Sequence, residues 1–576
     1  MASGDFDRDQ ALDRLRTTDF DVVVIGGGIT GAGVALDAAS RGLRTALVER
    51  DDFASGTSSR SSKLVHGGLR YLQQGDIKLV YQALAERQRL RRNAPHLVRI
   101  LPFLLPVFSR DGLFDRKLAW ALGKAMWMYD LTGGARIGKL HQRLSTDDVI
   151  GYMPTLPADR LVGGYLYYDA ATDDARLTLA VARTAAVDHG AVIVNRAGVI
   201  DMTRRDDGTL SGVRVSAELD DGTREEIEVS ASVVVSATGV WADQVRGLGQ
   251  DTAPATIRPA KGIHITVPWD LVRNEIAVVI PVPKDRRSVF VVPWGDQTYI
   301  GTTDTDYDGP IDDPQCTPDD VAYLLRAINA SVEGEITEDD ITGTWAGLRP
   351  LVRATGSGRT ADLSRMHRVQ VDDDGLVTIS GGKLTTYRDM AEDTVDAVLE
   401  SLGDRVTGRV HRSARTKDLP LRGARAYSEV CDQAEELAAV AGLAEADVMH
   451  LADRYGGEAR VLLAMIEHSP ELRDRLAEGH PYLRAEVVHA VRYEMARDLD
   501  DILARRIPLR LRDANAAMSV AADVAALMAP ELGWSEEEAA RRTEAFRRSV
   551  TEERSAAALP VTRAGAESTP LAEVES

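Results

Sequence analysis

The chain has 576 residues, more than one ordinary core holds, so two or three domains are expected. Apolar content of 44% and charged content of 27% are those of a globular protein in water. A net charge of −20 speaks against nucleic acid as a partner, which needs a positive surface, yet leaves room for an anionic substrate held by a few local arginines.

The opening MASGDFDRDQ is polar and acidic, and residues 1–18 read as a flexible, solvated arm. No signal-peptide pattern stands there, and no apolar run approaches the ~20 residues that a bilayer requires. A cytoplasmic protein is expected, with attachment to the inner face of the cell membrane left open. Cys316 and Cys431 lack metal-ligand spacing, so neither a metal site nor a disulfide framework is expected.

Residues 22–49, VVVIGGGITGAGVALDAASRGLRTALVE, carry the strongest local signal. A β-branched run breaks at glycines, an alanine-rich helical pattern follows, and a second strand ends at Glu49. Gly26, Gly28 and Gly31 form G-x-G-x-x-G in a strand–turn–helix context. One glycine permits the tight turn, one lets backbone approach a pyrophosphate, and one lets helix and strand pack closely. The helix N-terminus offers unpaired N–H groups to an anionic cofactor. Glu49 lies where a carboxylate holds ribose hydroxyls, which argues against a 2′-phosphate but does not separate NAD from FAD.

The next stretch, DDFASGTSSRSSKLVHGGLRYL, is dense in hydroxyls and glycine and reads as a loop beside the cofactor. It supplies Lys63, His66, Arg70 and Tyr71. Residues 76–94 have helical periodicity. Residues 100–108, ILPFLLPVF, are apolar but broken by two prolines, and aromatic and basic residues follow up to Tyr129. That mixture suits a membrane interface, although an apolar aromatic stripe is more often core.

Asp169 to Gly190 reads as a helix entered through a turn. A hairpin-like region with turns at Asp207-Gly208 and Asp221-Gly222 follows, leading to ASVVVSATG, residues 231–239. Its ATG ending resembles the second cofactor turn of flavin-dependent oxidoreductases and favours FAD over NAD. Alternating segments between Lys261 and Thr303 have the period of an antiparallel sheet over the flavin. Residues 379–388, ISGGKLTTYR, are again strand, glycine turn and helix start. From His411 the composition turns helical, and residues 551–576 read as a disordered tail.

Read together, GGGITGAG, TSSRSSKLVHGGLRYL, KGIHITVP, IGTTD, GLRPL and GGKLTTYR resemble the FAD-dependent glycerol-3-phosphate dehydrogenases, from about residue 19 to 550. Thr30 stands where that family often has asparagine, and Arg60 interrupts a loop that is usually built of small residues. The resemblance implies an α/β fold: a Rossmann-type FAD-binding domain interleaved with an antiparallel-sheet substrate domain, plus a C-terminal all-helical domain. Segments 19–98, 170–260 and 340–405 would bind FAD, 99–169 and 261–339 would form the substrate cap, and 411–550 the helical domain.

It also implies that sn-glycerol 3-phosphate is oxidised at C2 to dihydroxyacetone phosphate, with hydride passing to the flavin and electrons then to membrane quinone. FAD contacts would come from Gly26, Gly28, Gly31 and Glu49, from Thr57, Ser58, Ser62 and Leu64, from Ala237 and Gly239, and from Gly382, Leu384 and Thr385. Arg70, Tyr71, Arg365 and Lys383 would hold the phosphate. Arg349 would orient the C2 oxygen, and His66 or His264 would take the hydroxyl proton, since imidazole titrates near neutral pH. A homodimer is compatible with this reading. Three alternatives remain: an oxidase that uses oxygen, a flavin amine or amino-acid oxidase, and a non-catalytic flavin-binding interaction subunit.

Overall fold

The computed structural model describes residues 6–68, 77–109, 139–219, 221–248, 256–283, 285, 287–352 and 366–560. The β-branched run becomes the strand Phe20–Ile25, buried at every position, as a parallel strand covered on both faces must be. Thr45–Val48 lies parallel on one side of it and the far half of Arg224–Ser236 on the other. Val192–Val194 and Val377–Gly381 extend the sheet outward, still parallel, and His367–Val371 closes one edge antiparallel. Five parallel strands therefore end on one side, where a doubly wound sheet places its ligand crevice. Helices Ile29–Ser40, Asp174–Arg183 and Tyr387–Leu402 bury their apolar sides in the same core.

The near half of Arg224–Ser236 pairs antiparallel with Leu210–Glu218, which pairs in turn with Ala197–Arg204. The two turns form where glycine was expected: Gly208 and Gly222 have φ of 83° and 79°. Asp207 and Asp221 accept the N–H groups of Thr209 and Thr223 at 2.9 Å.

A second, ten-stranded sheet is wider than the alternating segments foretold. It starts at Leu64–Val65 and takes in Val98–Phe108, Leu161–Thr172, Ala277–Pro281, Ser288–Trp294 and Gln297–Gly301. Ile257–Pro268 pairs with Gln297–Gly301 on one edge and with Gly343–Val352 on the other. The pairing is antiparallel except between Val98–Phe108 and Ala277–Pro281, which belong to separate excursions of the chain rather than to a hairpin.

Of the two readings of residues 100–108, core is borne out: they lie in a central strand, and Phe103 to Phe108 are buried with Pro106 among them. Its parallel pairing spans only Ala277↔Phe103 and Val278↔Leu104, between the two prolines that cannot donate to a ladder. Residues 8–17 are not a loose arm but the helix Arg8–Thr17, capped by Asp7, with Ala11, Leu12 and Leu15 packed into a core beside the first sheet. Residues 551–560 are not disordered: the helix Glu536–Ala556 runs through them, and Ala557 and Leu559 enter the core of the second sheet.

The C-terminal helices form two small cores, one around Val448, Leu451 and Leu462, the other around Val487, Val524 and Phe546. Since Leu559 is 4% exposed within a core of the other domain, Leu559→Ala should destabilise the protein by about 2–5 kcal/mol, read as a lower urea midpoint. An unchanged midpoint would mean that the packing contributes nothing.

Candidate active site

A cavity of about 970 Å³ opens at the C-terminal ends of the parallel strands and is lined by both sheets. Its floor is the fingerprint turn. Gly26 has φ of 105°, and a Cβ there would lie 2.9 Å from the carbonyl oxygen of Ala237, so the ATG turn closes directly over it. A Cβ on Gly31 would lie 1.9 Å from the carbonyl oxygen of Gly26, which is why helix Ile29–Ser40 sits so tightly on its strand; Gly31 itself does not line the cavity. Gly28 caps that helix without a side chain, leaving the first turn open to an anion.

Glu49 is half-buried at the end of Thr45–Val48. Its Oε2 accepts the Gly27 N–H at 2.6 Å and its Oε1 the Asp51 N–H at 2.8 Å. Burial pushes its pKa up to about 7, although those two donors pull the other way. Each oxygen keeps a second lone-pair site for a ribose hydroxyl. A side-chain-free cradle, an open helix N-terminus and an adjacent carboxylate fit FAD.

The hydroxyl loop joins the two sheets. Ser58 Oγ accepts the Ile29 N–H at 2.9 Å, and Thr57 Oγ1 donates to the Leu348 carbonyl at 2.6 Å. Trp345 Nε1 donates to the Ser61 carbonyl and the Tyr299 hydroxyl to that of Ser62, at 3.2 and 2.8 Å. Thr57, Ser58, Ser62 and Leu64 all line the cavity, as do Ala237 and Gly239. Lys63 does not; it is buried against Asp174, Nζ to Oδ1 at 2.6 Å. Arg60 lines the cavity and reaches the Ala346 carbonyl through Nη1 at 3.3 Å.

Arg349 projects from Gly343–Val352, opposite Ala260. Its Nη1 meets Asp304 Oδ1 at 3.2 Å, and its Nη2 meets Thr302 Oγ1 at 3.3 Å and the Thr303 carbonyl at 3.1 Å. A Cβ on Gly262 would lie 2.5 Å from Nη2 and 2.6 Å from Thr302 Oγ1, so a side chain there would push the guanidinium out of this position. His264, two residues on, is 2% exposed. Its ring stacks on Trp345 at 4.6 Å between centroids, and its Nε2 lies 2.9 Å from Ser62 Oγ. Burial, with the charges of Arg349 and Lys63, holds its pKa well below the ordinary histidine value, so the ring is neutral at working pH.

Lys383 follows Gly381 and Gly382, both with positive φ, and caps the turn Leu384–Thr386. Lys383, Gly382, Leu384 and Thr385 line the cavity. His66 does too; its N–H donates to Thr385 Oγ1 at 3.3 Å, and its ring stands edge-on to Phe290. Arg70, Tyr71 and Arg365 lie outside the described residues. The structure thus brings Arg349, Lys383, His66 and His264 to one cavity from four separate segments. Asp304 and Thr302, which hold Arg349, had no role in the sequence reading; their signal was the IGTTD motif, whose work depends on a strand 45 residues further along.

Comparison with known proteins agrees with this geometry. Residues 21–388 match the family described as FAD dependent oxidoreductase, and residues 414–539 match the C-terminal domain of alpha-glycerophosphate oxidase. A glycerol-3-phosphate dehydrogenase of Mycobacterium leprae is 41% identical over 554 residues, covering 96% of this chain and 92% of that one. The crystal structure of a glycerol-3-phosphate dehydrogenase from Bacillus halodurans, complexed with FAD, superposes with a TM-score of 0.77 at 31% identity, covering 96% of this chain and 98% of that one. An L-alpha-glycerophosphate oxidase from Mycoplasma pneumoniae shares the fold, with a TM-score of 0.51 at 18% identity over 66% of this chain and 95% of that one.

The raised pKa of Glu49 has a measurable sign. Between the free carboxyl value near 4.5 and the native value near 7, the folded apoprotein keeps a proton that the unfolded chain releases. Stability should therefore fall as pH rises through that window, by at most about 3 kcal/mol and less as solvent screens a half-buried group. Glu49→Gln, which cannot ionise, should remove this part of the slope. Parallel urea-midpoint profiles from pH 4.5 to 7.5 for the two proteins would refute the assignment.

Proposed function

Because the chain belongs to the FAD-dependent glycerol-3-phosphate dehydrogenase family, we propose that it oxidises sn-glycerol 3-phosphate at C2 to dihydroxyacetone phosphate and passes the electrons to membrane quinone. The observation that carries this reading is the presence of Arg349 and Lys383 around the same cavity as the dinucleotide cradle.

Bound FAD supplies the hydride acceptor. Lys383 offers a point charge to the substrate phosphate. Arg70, Tyr71 and Arg365 share that task by family resemblance. Arg349 holds the C2 oxygen, and its fixed guanidinium stabilises the negative charge that grows there as the proton leaves. His264, neutral before the reaction, accepts that proton. Its basicity is depressed in part by the charges of Arg349 and Lys63, and a phosphate dianion in the cavity offsets that field as substrate binds. His66 is the second candidate, and comparing His264→Ala with His66→Ala separates them.

Quinone is favoured over oxygen because the relative that shares 41% identity across nearly the whole chain is a dehydrogenase by name, whereas the oxidase likeness concerns the fold alone. Among the described residues no helix is long and apolar enough to cross a membrane. A lipophilic quinone would then be met at the membrane surface, on the inner face of the cell membrane. Anaerobic glycerol 3-phosphate should bleach the flavin absorbance, and a quinone analogue should restore it faster than air. Faster recovery in air would favour the oxidase, and failure to bleach would end the substrate assignment.

Arg349→Lys keeps the charge but loses the planar fork. It should lower kcat by on the order of 10²–10³-fold while flavin content stays at the parent level. Unchanged turnover would remove Arg349 from the chemistry.

A further inference from the structure

We propose that the C-terminal helical domain acts as a clamp on the cofactor cradle, with Arg505 and Arg506 as positioning residues that fix Glu49 and the fingerprint turn through Asp52. The proposal goes beyond the substrate assignment and stands whichever alcohol is oxidised.

The turn that follows Glu49 holds the fingerprint from both sides. Gly27 donates its N–H to Glu49 and receives at its carbonyl the N–H of Ala54 at 3.1 Å. Ala54 is left-handed, with φ of 61°, a conformation costly for a residue with a side chain and kept only where surroundings enforce it. Phe53 packs beneath, within 3.0 Å of the position a Cβ on Gly27 would take. Displacement of this turn would therefore move the ribose-binding carboxylate and the pyrophosphate turn together.

What enforces the turn comes from the far end of the chain. Asp52 is fully buried, and its carboxylate accepts Arg505 Nε at 2.7 Å and Arg506 Nη1 and Nη2 at 2.6 and 2.9 Å. Asn195 Nδ2 completes the set at 3.2 Å and also donates to the Met495 carbonyl at 2.9 Å. Burial alone would push the Asp52 carboxyl up, but the Arg506 and Arg505 charges outweigh it and hold it well below the usual carboxylate range. The arginines are themselves fixed. They end a single π-helical turn, Asp501–Arg506, in which Asp500 and Asp501 take the remaining N–H groups of Arg505 at 2.7 and 2.6 Å. Both Asp52 oxygens and all three Arg505 nitrogens are paired, as buried charges require, and these bonds tie the turn to the helical domain at several points at once.

The test measures cofactor affinity in the full chain. FAD is removed, and the dissociation constants for FAD and for ADP, which carries ribose and pyrophosphate without the isoalloxazine, are read by fluorescence titration and competition. Asp52→Asn and Arg505→Gln should each weaken both ligands more than fivefold. Glu458→Gln strips a carboxylate that meets Arg183 and Arg422 at 2.6 Å elsewhere between the domains; it should lower Tm yet leave both constants within twofold of the parent. A change below fivefold in either folded variant, or equal weakening by Glu458→Gln, overturns the proposal. Should Asp52→Asn fail to fold, Arg505→Gln decides, since it leaves the bidentate Arg506 contact in place.

Discussion

Everything at the reactive end of the cavity depends on the register between Ile257–Pro268 and Gly343–Val352. Ten consecutive pairs, from Ile257↔Val352 to Thr266↔Gly343, lock these strands together. That register brings Gly262 against the Arg349 guanidinium, where a missing side chain leaves room for it, and sets Trp345 under His264. A slip of one residue would turn every side chain to the opposite face. It would drive a Cβ into Arg349 and point His264 away from its cavity face. The geometry around Arg349 and His264 is thus held by backbone pairing before any side chain contributes.

The electrostatics follow from the same placement. A guanidinium drawn partly out of water needs acceptors, and Asp304, Thr302 and the Thr303 carbonyl provide them from the strand end alongside. Burial, with that charge beside it, keeps His264 neutral. The same cation thus lines the cavity beside a neutral imidazole.

What could be read from the sequence was what is local. Gly26, Gly28 and Glu49 announce themselves because strand, turn and helix follow within thirty residues, and each residue's task is set by its own segment. Asp207-Gly208 and Asp221-Gly222 were equally legible, since a short reverse turn needs only its own chemistry. Asp304 was not, because its partner Arg349 comes from another strand. Residues 100–108 left core and interface both open because proline usually breaks a central strand, whereas here the parallel pairing fits between two prolines. Leu12 and Leu15 were hidden in polar surroundings and Leu559 in a short alanine-rich tail; only the cores that receive them show their use. Asp52 looked like one more acidic residue in a loop, since the arginines that define it are some 450 residues away.

The cofactor sheet is assembled from strands scattered along the chain, with Val235 paired to Val24 on one side and to Val377 on the other. A ribosome delivers these pieces in order. When Glu49 leaves the exit tunnel, the ATG turn that covers Gly26 is almost two hundred residues from emerging, and the turn bearing Lys383 and Thr385 is later still. Contacts so distant in sequence are slow to form. A nascent chain must carry an unfinished parallel sheet through most of its synthesis, with strand edges exposed, and cannot close its flavin pocket until about two thirds of its length has emerged.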